Sequence, residues 1–221
     1  MKKLSFGVAI LLNLLMINTI AGAQGISQVL LIPREAETYG VLDFMLIREV
    51  GVMTDLLQKA GFKIVVATTP GQPIEGFVKS LKPDIKLSEV KVDDYAGIIL
   101  ACMGLGHYPG PPVSPAAVSI VKQAVAKGKP VAANAGGIYI LAEAGVLVGK
   151  RYSFTQDAFN PYPPHKKDSR FEGDIYSGYG VVQDGMITTS AICPAMESNT
   201  GFRDGTPELT RVFIVKLGQK K

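Results

Sequence analysis

The stretch KPVAANAGGIYILAEAG, residues 129–145, reads as a buried strand, a tight turn and a helix. Gly136 and Gly137 supply the turn between the KPVAAN strand and the GIYILAEAG helix. In α/β enzymes a turn of this kind lifts a nucleophile above the sheet edge. Its apex here is Ala135, whose methyl group cannot attack a carbonyl. Backbone N–H groups at a helix start still attract carboxylates and other anions, so such a turn can bind without reacting.

The flanking segments continue the alternation. SQVLLIP (27–33) and FKIVVATT (62–69) read as buried strands of parallel type. Residues 43–60 read as a helix that stops before Gly61, with Met45, Leu46, Met53, Leu56 and Leu57 facing inward. YAGIILACMG (95–104) gives a third strand and its loop. SPAAVSIVKQAVAKG (114–128) gives a helix with Ser114 at the N-cap, Pro115 at the first helical position and Val118, Val121 and Val125 on one stripe. YGVVQDGMITTSAI (179–192) reads as strand, turn and strand about Asp184-Gly185, where the pair is turn chemistry. TRVFIVKLG (210–218) is a candidate last strand closing the sheet. Residues 153–178, rich in Pro, Tyr and charge, form an irregular insertion over one edge. Short connections between alternating strands and helices predict an α/β fold, with a mostly parallel central sheet covered by helices on both faces.

Lys2 and Lys3 precede an apolar run from Leu4 to Ile20, followed by Ala21-Gly22-Ala23 and Gln24. This is the layout of a secretory signal peptide, expected to span residues 1–23. Its removal takes two Lys and no acid from a chain of 221 residues, lowering the formal charge from +4 to +2. The pI near 9.0 therefore does not argue for a nucleic-acid partner, and no basic stripe supports one. Residues 24–221, without a repeat or linker, are expected to form one domain, periplasmic or secreted and free of the membrane after cleavage. Cys102 and Cys193 either pair or stay free in that compartment. His107 and His165 lie too far apart, without other ligand spacing, for a metal site, and no cofactor is expected.

Ligands of such folds bind beyond the carboxyl ends of the strands. ACMGLGHY, NAGG and SAICPAMES converge there. The run PVAANAGGIYILAEAGVLVGKR resembles the elbow segment of the DJ-1/PfpI superfamily, which typically reads A-x-C-x-G before a helix carrying L-A-x-A-G-x-L-x-G. Leu141, Ala142, Ala144, Gly145, Leu147 and Gly149 carry the helix half of the match. DDYAGIILACMG and VVQDGMITTSAICPAMES resemble two further family segments, and Glu49 stands where members carry an acid facing the elbow cysteine. The resemblance runs from about Ser27 to Asn199. It implies a flavodoxin-like sandwich of the class I glutamine-amidotransferase-like type, and a homodimer formed through helices near the elbow.

The departures from that pattern bear on function. Ala135 replaces the nucleophile, Gly136 stands where many members carry His, and Cys102-Met103 replaces a Gly-Gly whose amides help to form an oxyanion site. No Cys lies within thirty residues of Ala135 on either side, so no local shift restores the thiol. Glu49 is either a buried site acid or a solvated carboxylate beside Arg48. Cys102 and Cys193 pack as small hydrophobes, form a disulfide, or provide a displaced thiol. Tyr152, Tyr162, Tyr176 and Tyr179 line a cleft or cover the core. The expectation is a pseudoenzyme binding a small-molecule or anionic ligand, or a partner, through Glu49, Cys102, Met103, Gly104, Asn134, Ala135, Gly136 and Gly137. The alternative is a hydrolase or lyase of altered mechanism using Glu49 with Cys102, Cys193 or His107. N-terminal sequencing of the exported form should begin at Gln24 or within a few residues of it; an intact Met1 on a soluble cytoplasmic product would contradict export.

Overall fold

The computed structural model describes residues 27–35, 41–104, 112–155, 164–166 and 168–219. The expected signal peptide, His107 and Tyr162 lie outside them. In chain order the elements are β1 (Gln28–Pro33), α1 (Leu42–Met45), α2 (Gly51–Lys59), β2 (Lys63–Thr68), β3 (Ile74–Glu75), β4 (Ser80–Leu81) and β5 (Ile85–Lys86). There follow β6 (Gly97–Ala101), α3 (Pro115–Ala126), β7 (Val131–Asn134), α4 (Ile138–Glu143), β8 (Arg151–Tyr152) and β9 (Ile175–Tyr176). The last are β10 (Val181–Asp184), β11 (Ile187–Ser190), α5 (Pro194–Thr200) and α6 (Thr206–Gly218).

Seven of these strands join one sheet in the order β10-β11-β7-β6-β1-β2-β5. Only the β10–β11 pair, joined by the turn at Asp184-Gly185, is antiparallel. Side chains alternate between the two faces with the period of two that a strand imposes. Leu30, Ile32, Ile98, Leu100 and Val131 meet Ala117, Ile120 and Val121 of α3 and Leu141 of α4 on one face. Val29, Leu31, Ile99 and Ala132 meet Leu46, Met53 and Leu57 on the other, together with Leu209 and Phe213 of α6. Both faces are therefore dry, which is why the strands read as continuous apolar runs.

Residues 210–218 do not close the sheet. They belong to α6, where Pro207 occupies the first turn and Thr206, Leu209, Thr210 and Phe213 are buried. That spacing of three, one and three is helical, whereas the β-branched VFIV run suggested a strand. Packing against α2 and β11 overrides the local preference. The helix after Ser114 also starts as expected at Pro115, but the Ser114 side chain makes no capping bond.

Between α1 and α2, Leu46–Val50 form a single π-helical turn in an otherwise continuous helical run. Such a turn inserts a residue into the helix and shifts the face that follows. Leu46, Glu49 and Val50 all turn inward here. Tyr152 and Phe171 stack at 5.5 Å, Tyr139 meets Phe171 and Phe154 edge-on, and Phe154 lies tilted against Phe171, so these aromatics form core rather than a cleft wall. No helix among the described residues is long and apolar enough to cross a membrane. Phe213, fully buried between α6 and the sheet, is the test of this layer. Phe213→Ala should lower unfolding free energy by about 3–5 kcal/mol in a denaturant titration.

Candidate functional site

The sheet register brings four strand ends to one rim. Pro33 pairs with Ala101, Leu100 with Ala133, and Asn134 with Ser190. Arg34, Cys102, Ala135 and Cys193 lie just beyond those ends. Ala135 opens a short 3-10 turn, Ala135–Gly137, that leads into α4. Its φ is +38°, a left-handed conformation rare for a residue with a Cβ. Strain of this kind costs on the order of 1–3 kcal/mol, so the turn has not relaxed to an ordinary strand or helix conformation. Met103 is also left-handed, at φ +63°. Gly136 leaves room for the neighbouring strand end: a Cβ there would stand 3.1 Å from the Cys102 sulfur.

Glu49 is fully buried and holds the rim together. Its Oε1 accepts from the Cys102 N–H at 2.9 Å and from Asn134 Nδ2 at 2.8 Å. Its Oε2 accepts from the Met103 N–H at 2.8 Å. Asn134 Nδ2 also donates to Thr206 Oγ1 at 2.9 Å, and that hydroxyl donates to Asp204 at 2.7 Å. One carboxyl thereby ties the π-helical turn to two strand ends and, through Asn134, to α6. Burial pushes the Glu49 pKa well up, and charge on Cys102 pushes it further. The Met103, Cys102 and Asn134 N–H groups pull in the opposite direction.

Cys102, Cys193, Ala135 and Met45 share one buried cluster. Both thiols are free. The Cys193 thiol donates to the Cys102 sulfur, and this contact is the main reason that the Cys102 pKa falls to about 7. Burial opposes the fall, while the Gly136 and Gly104 amides and the Arg34 charge reinforce it. Cys193 moves the other way, because giving its proton to that contact holds it on the thiol, and burial adds to the rise. The amide following the elbow apex therefore serves a sulfur from the adjacent strand.

Arg34 borders this cluster. Its Nη1 donates to the Gly136 carbonyl at 3.1 Å, and its guanidinium lies 5.2 Å from the Tyr139 ring centroid. Burial depresses its pKa, with Cys102 and Tyr139 opposing the effect. A cleft of about 240 Å³ opens beside it, lined by Ile32, Arg34, Glu35, Thr69, Ser114 and Ile140 among others. Ser114 Oγ, at the start of α3, has no hydrogen-bond partner among the described residues. A smaller cleft of about 140 Å³ runs past Arg34 to Thr68, Gln72 and Met103.

Glu49, Cys102, Met103, Gly104, Cys193 and the Asn134–Gly137 turn lie on one rim, Glu49 reaching it from the helical run, while His107 lies outside the described residues. Arg34 and Thr206 were missed. Arg34 carried a readable signal, since it directly follows the first strand at the carboxyl edge. Thr206 carried none, because its place depends on α6 being a helix. Among the described residues, no group of three or more His, Cys, Asp or Glu could hold a metal ion.

A family model described as the DJ-1/PfpI family matches residues 42–198. An uncharacterized protein of Methanocaldococcus jannaschii is 28% identical over 136 residues, covering 61% of this chain and 63% of the relative. One from Archaeoglobus fulgidus is 32% identical over 110 residues, covering 50% and 60%. The chain thus spans about three-fifths of the length of the curated relatives that it matches. The ThiJ/PfpI domain protein from Brachyspira murdochii superposes with a TM-score of 0.63 at 14% identity, covering 88% of this chain and 98% of that one. Drosophila melanogaster DJ-1beta gives 0.57 at 24% identity, with 88% and 91% covered. At these identities the two structures establish a shared fold.

The Glu49 hub makes a prediction in two parts. Glu49→Gln replaces one accepting oxygen with an amide nitrogen and leaves one N–H donor facing another, at a cost of about 1–3 kcal/mol. A carboxyl raised above its unfolded value of about 4.3 contributes stability that is complete below that pH and lost as pH rises through the folded value. Denaturant titrations from acid to neutral pH should show this decline in the wild type. The slope should flatten in Glu49→Gln, and an unchanged slope would remove Glu49 as its source.

Proposed function

We propose that this chain, which belongs to the DJ-1/PfpI family, is an exported binding protein for a small anionic solute and has given up nucleophilic chemistry at the elbow. The observation that carries this reading is the occupancy of the elbow. Ala135 offers a methyl group, and the Cys102 and Met103 amides are already spent on Glu49. Neither a nucleophile nor the free amides of an oxyanion site stand at that point. Fold alone does not assign an activity, so the argument rests on these residues.

The cleft beside Arg34 suits the ligand. It combines a guanidinium, the unpartnered Ser114 hydroxyl and the first turn of the twelve-residue helix α3, which favour negative charge, with the Glu35 carboxylate, bonded to the Thr69 N–H, as an opposing charge. Its volume fits a solute of a few heavy atoms, such as a short-chain carboxylate. Export after Ala23 and homodimer formation belong to the same reading. Phe44 and Ile47, exposed on the helical run that carries Glu49, support the dimer.

A second reading, a hydrolase or lyase of altered mechanism, draws on the Gly136 and Gly104 amides directed at the Cys102 sulfur. Glu49 is a poor base for it, because its two oxygens already accept three N–H donors. Calorimetric titration with a panel of short carboxylates separates the readings. Binding should weaken about 10- to 100-fold in Arg34→Met, the loss of one charged hydrogen bond. Turnover of an activated ester that disappears in Cys102→Ser would replace the binding reading with the enzymatic one.

A further inference from the structure

The cleft of about 240 Å³ at the end of β1 carries both signs of charge. Arg34 and Glu35 follow that strand in succession, and both line this cleft and the smaller one beside it. Different neighbours fix the two groups. Arg34 is 4% exposed, and its Nη1 donates to the Gly136 carbonyl on the elbow side. Glu35 is half-buried and accepts the N–H of Thr69, which follows β2 and also lines the larger cleft. That bond occupies one oxygen of a group whose two oxygens accept about four bonds. A cation beside an anion is a poor match for a simple anion, because Glu35 repels the charge that Arg34 attracts. The pair suits a molecule that carries both signs.

The remaining lining falls into two parts. Ser114 Oγ is buried without a partner among the described residues and adds a hydroxyl donor to the wall that holds Arg34. Ile32, Leu87 and Ile140 are buried, and with Val113 they form an apolar wall. The cleft thus offers donors for a negative group, an acceptor for a positive one and a dry surface for a short branched chain.

We propose that this cleft binds a small apolar α-amino acid as its zwitterion. The carboxylate meets Arg34 and Ser114, the ammonium meets Glu35, and the side chain lies against Leu87, Val113 and Ile140. The assignment rests on the reading of this cleft as a carboxylate site and adds what that carboxylate is attached to. In an α-amino acid both charged groups hang from one carbon, so the residues that hold them must be neighbours, as Arg34 and Glu35 are. Discrimination then follows from the carboxyl of Glu35. A ligand without the ammonium leaves that carboxylate facing a like charge, and polar groups left unpaired in a site reject the analogue that fails to satisfy them.

Calorimetric titration of the whole protein with three probes tests the assignment. Valine carries both charges, isovalerate lacks the ammonium and isobutylamine lacks the carboxylate. Valine should bind about tenfold or more tightly than either of the others, a comparison that needs no variant to fold. Glu35→Gln should then move two affinities in opposite directions, weakening valine about tenfold and strengthening isovalerate, because an amide neither attracts the ammonium nor repels the carboxylate. A merely structural Glu35 would shift both the same way, and that result would overturn the assignment. Isovalerate binding as tightly as valine would overturn the zwitterion and leave the carboxylate site standing. Isobutylamine matching valine, or no binding by valine and every short carboxylate, would overturn both.

Discussion

The carboxyl group of Glu49 is the constraint on which the rim depends. Strand ends carry amides that the sheet no longer pairs, and burying them without partners costs as much as losing the bonds themselves. Glu49 takes the two that follow β6 and, through Asn134, fixes the end of β7. The π-helical turn is what presents the carboxyl at that depth. From this anchoring follow the left-handed Met103, the approach of Cys102 to the elbow and the tie through Thr206 to α6. Asn134 Oδ1, which has no partner among the described residues, is the one acceptor left over in this arrangement.

The strained apex and the sulfur cluster have a common origin. An elbow projects its apex residue away from the sheet, and with a methyl at the apex the space above is filled by side chains from the flanking strand ends. The Gly136 amide, which follows the apex, then faces the Cys102 sulfur. The Gly136 amide thus favours negative charge on a sulfur that belongs to the adjacent strand end. Arg34 completes the same electrostatic surrounding, with its guanidinium held by the Gly136 carbonyl and laid over Tyr139.

Much of this was legible in the residues because burial on both faces leaves a plain mark. Val29–Ile32, Ile98–Ala101 and Val131–Ala133 are apolar without interruption, and only a parallel sheet between helices makes use of that pattern. The meeting of Cys102, Asn134, Ala135 and Cys193 was legible from their place at strand ends, and that of Glu49 only from the family resemblance. Other features depended on tertiary packing. The VFIV run of α6 has strand-like composition but a helical burial pattern, and only its neighbours decide between them. The two-residue edge strand Ile85–Lys86 is too short to carry a period. The π-turn changes the face of Glu49, and Gly51, which directly follows it, is a weak mark because the helix continues through it.

The proximity of the Glu49 carboxyl and the Cys102 sulfur has a consequence for proton affinity. Charge on the sulfur adds to burial in holding the proton on the carboxyl. Whatever removes charge from the sulfur, whether alkylation, oxidation or a bound cation, relieves that opposition and lowers the carboxyl's affinity for its proton. Chemistry at Cys102 therefore alters the proton affinity of a residue that the reagent does not touch, while burial continues to favour the protonated carboxyl.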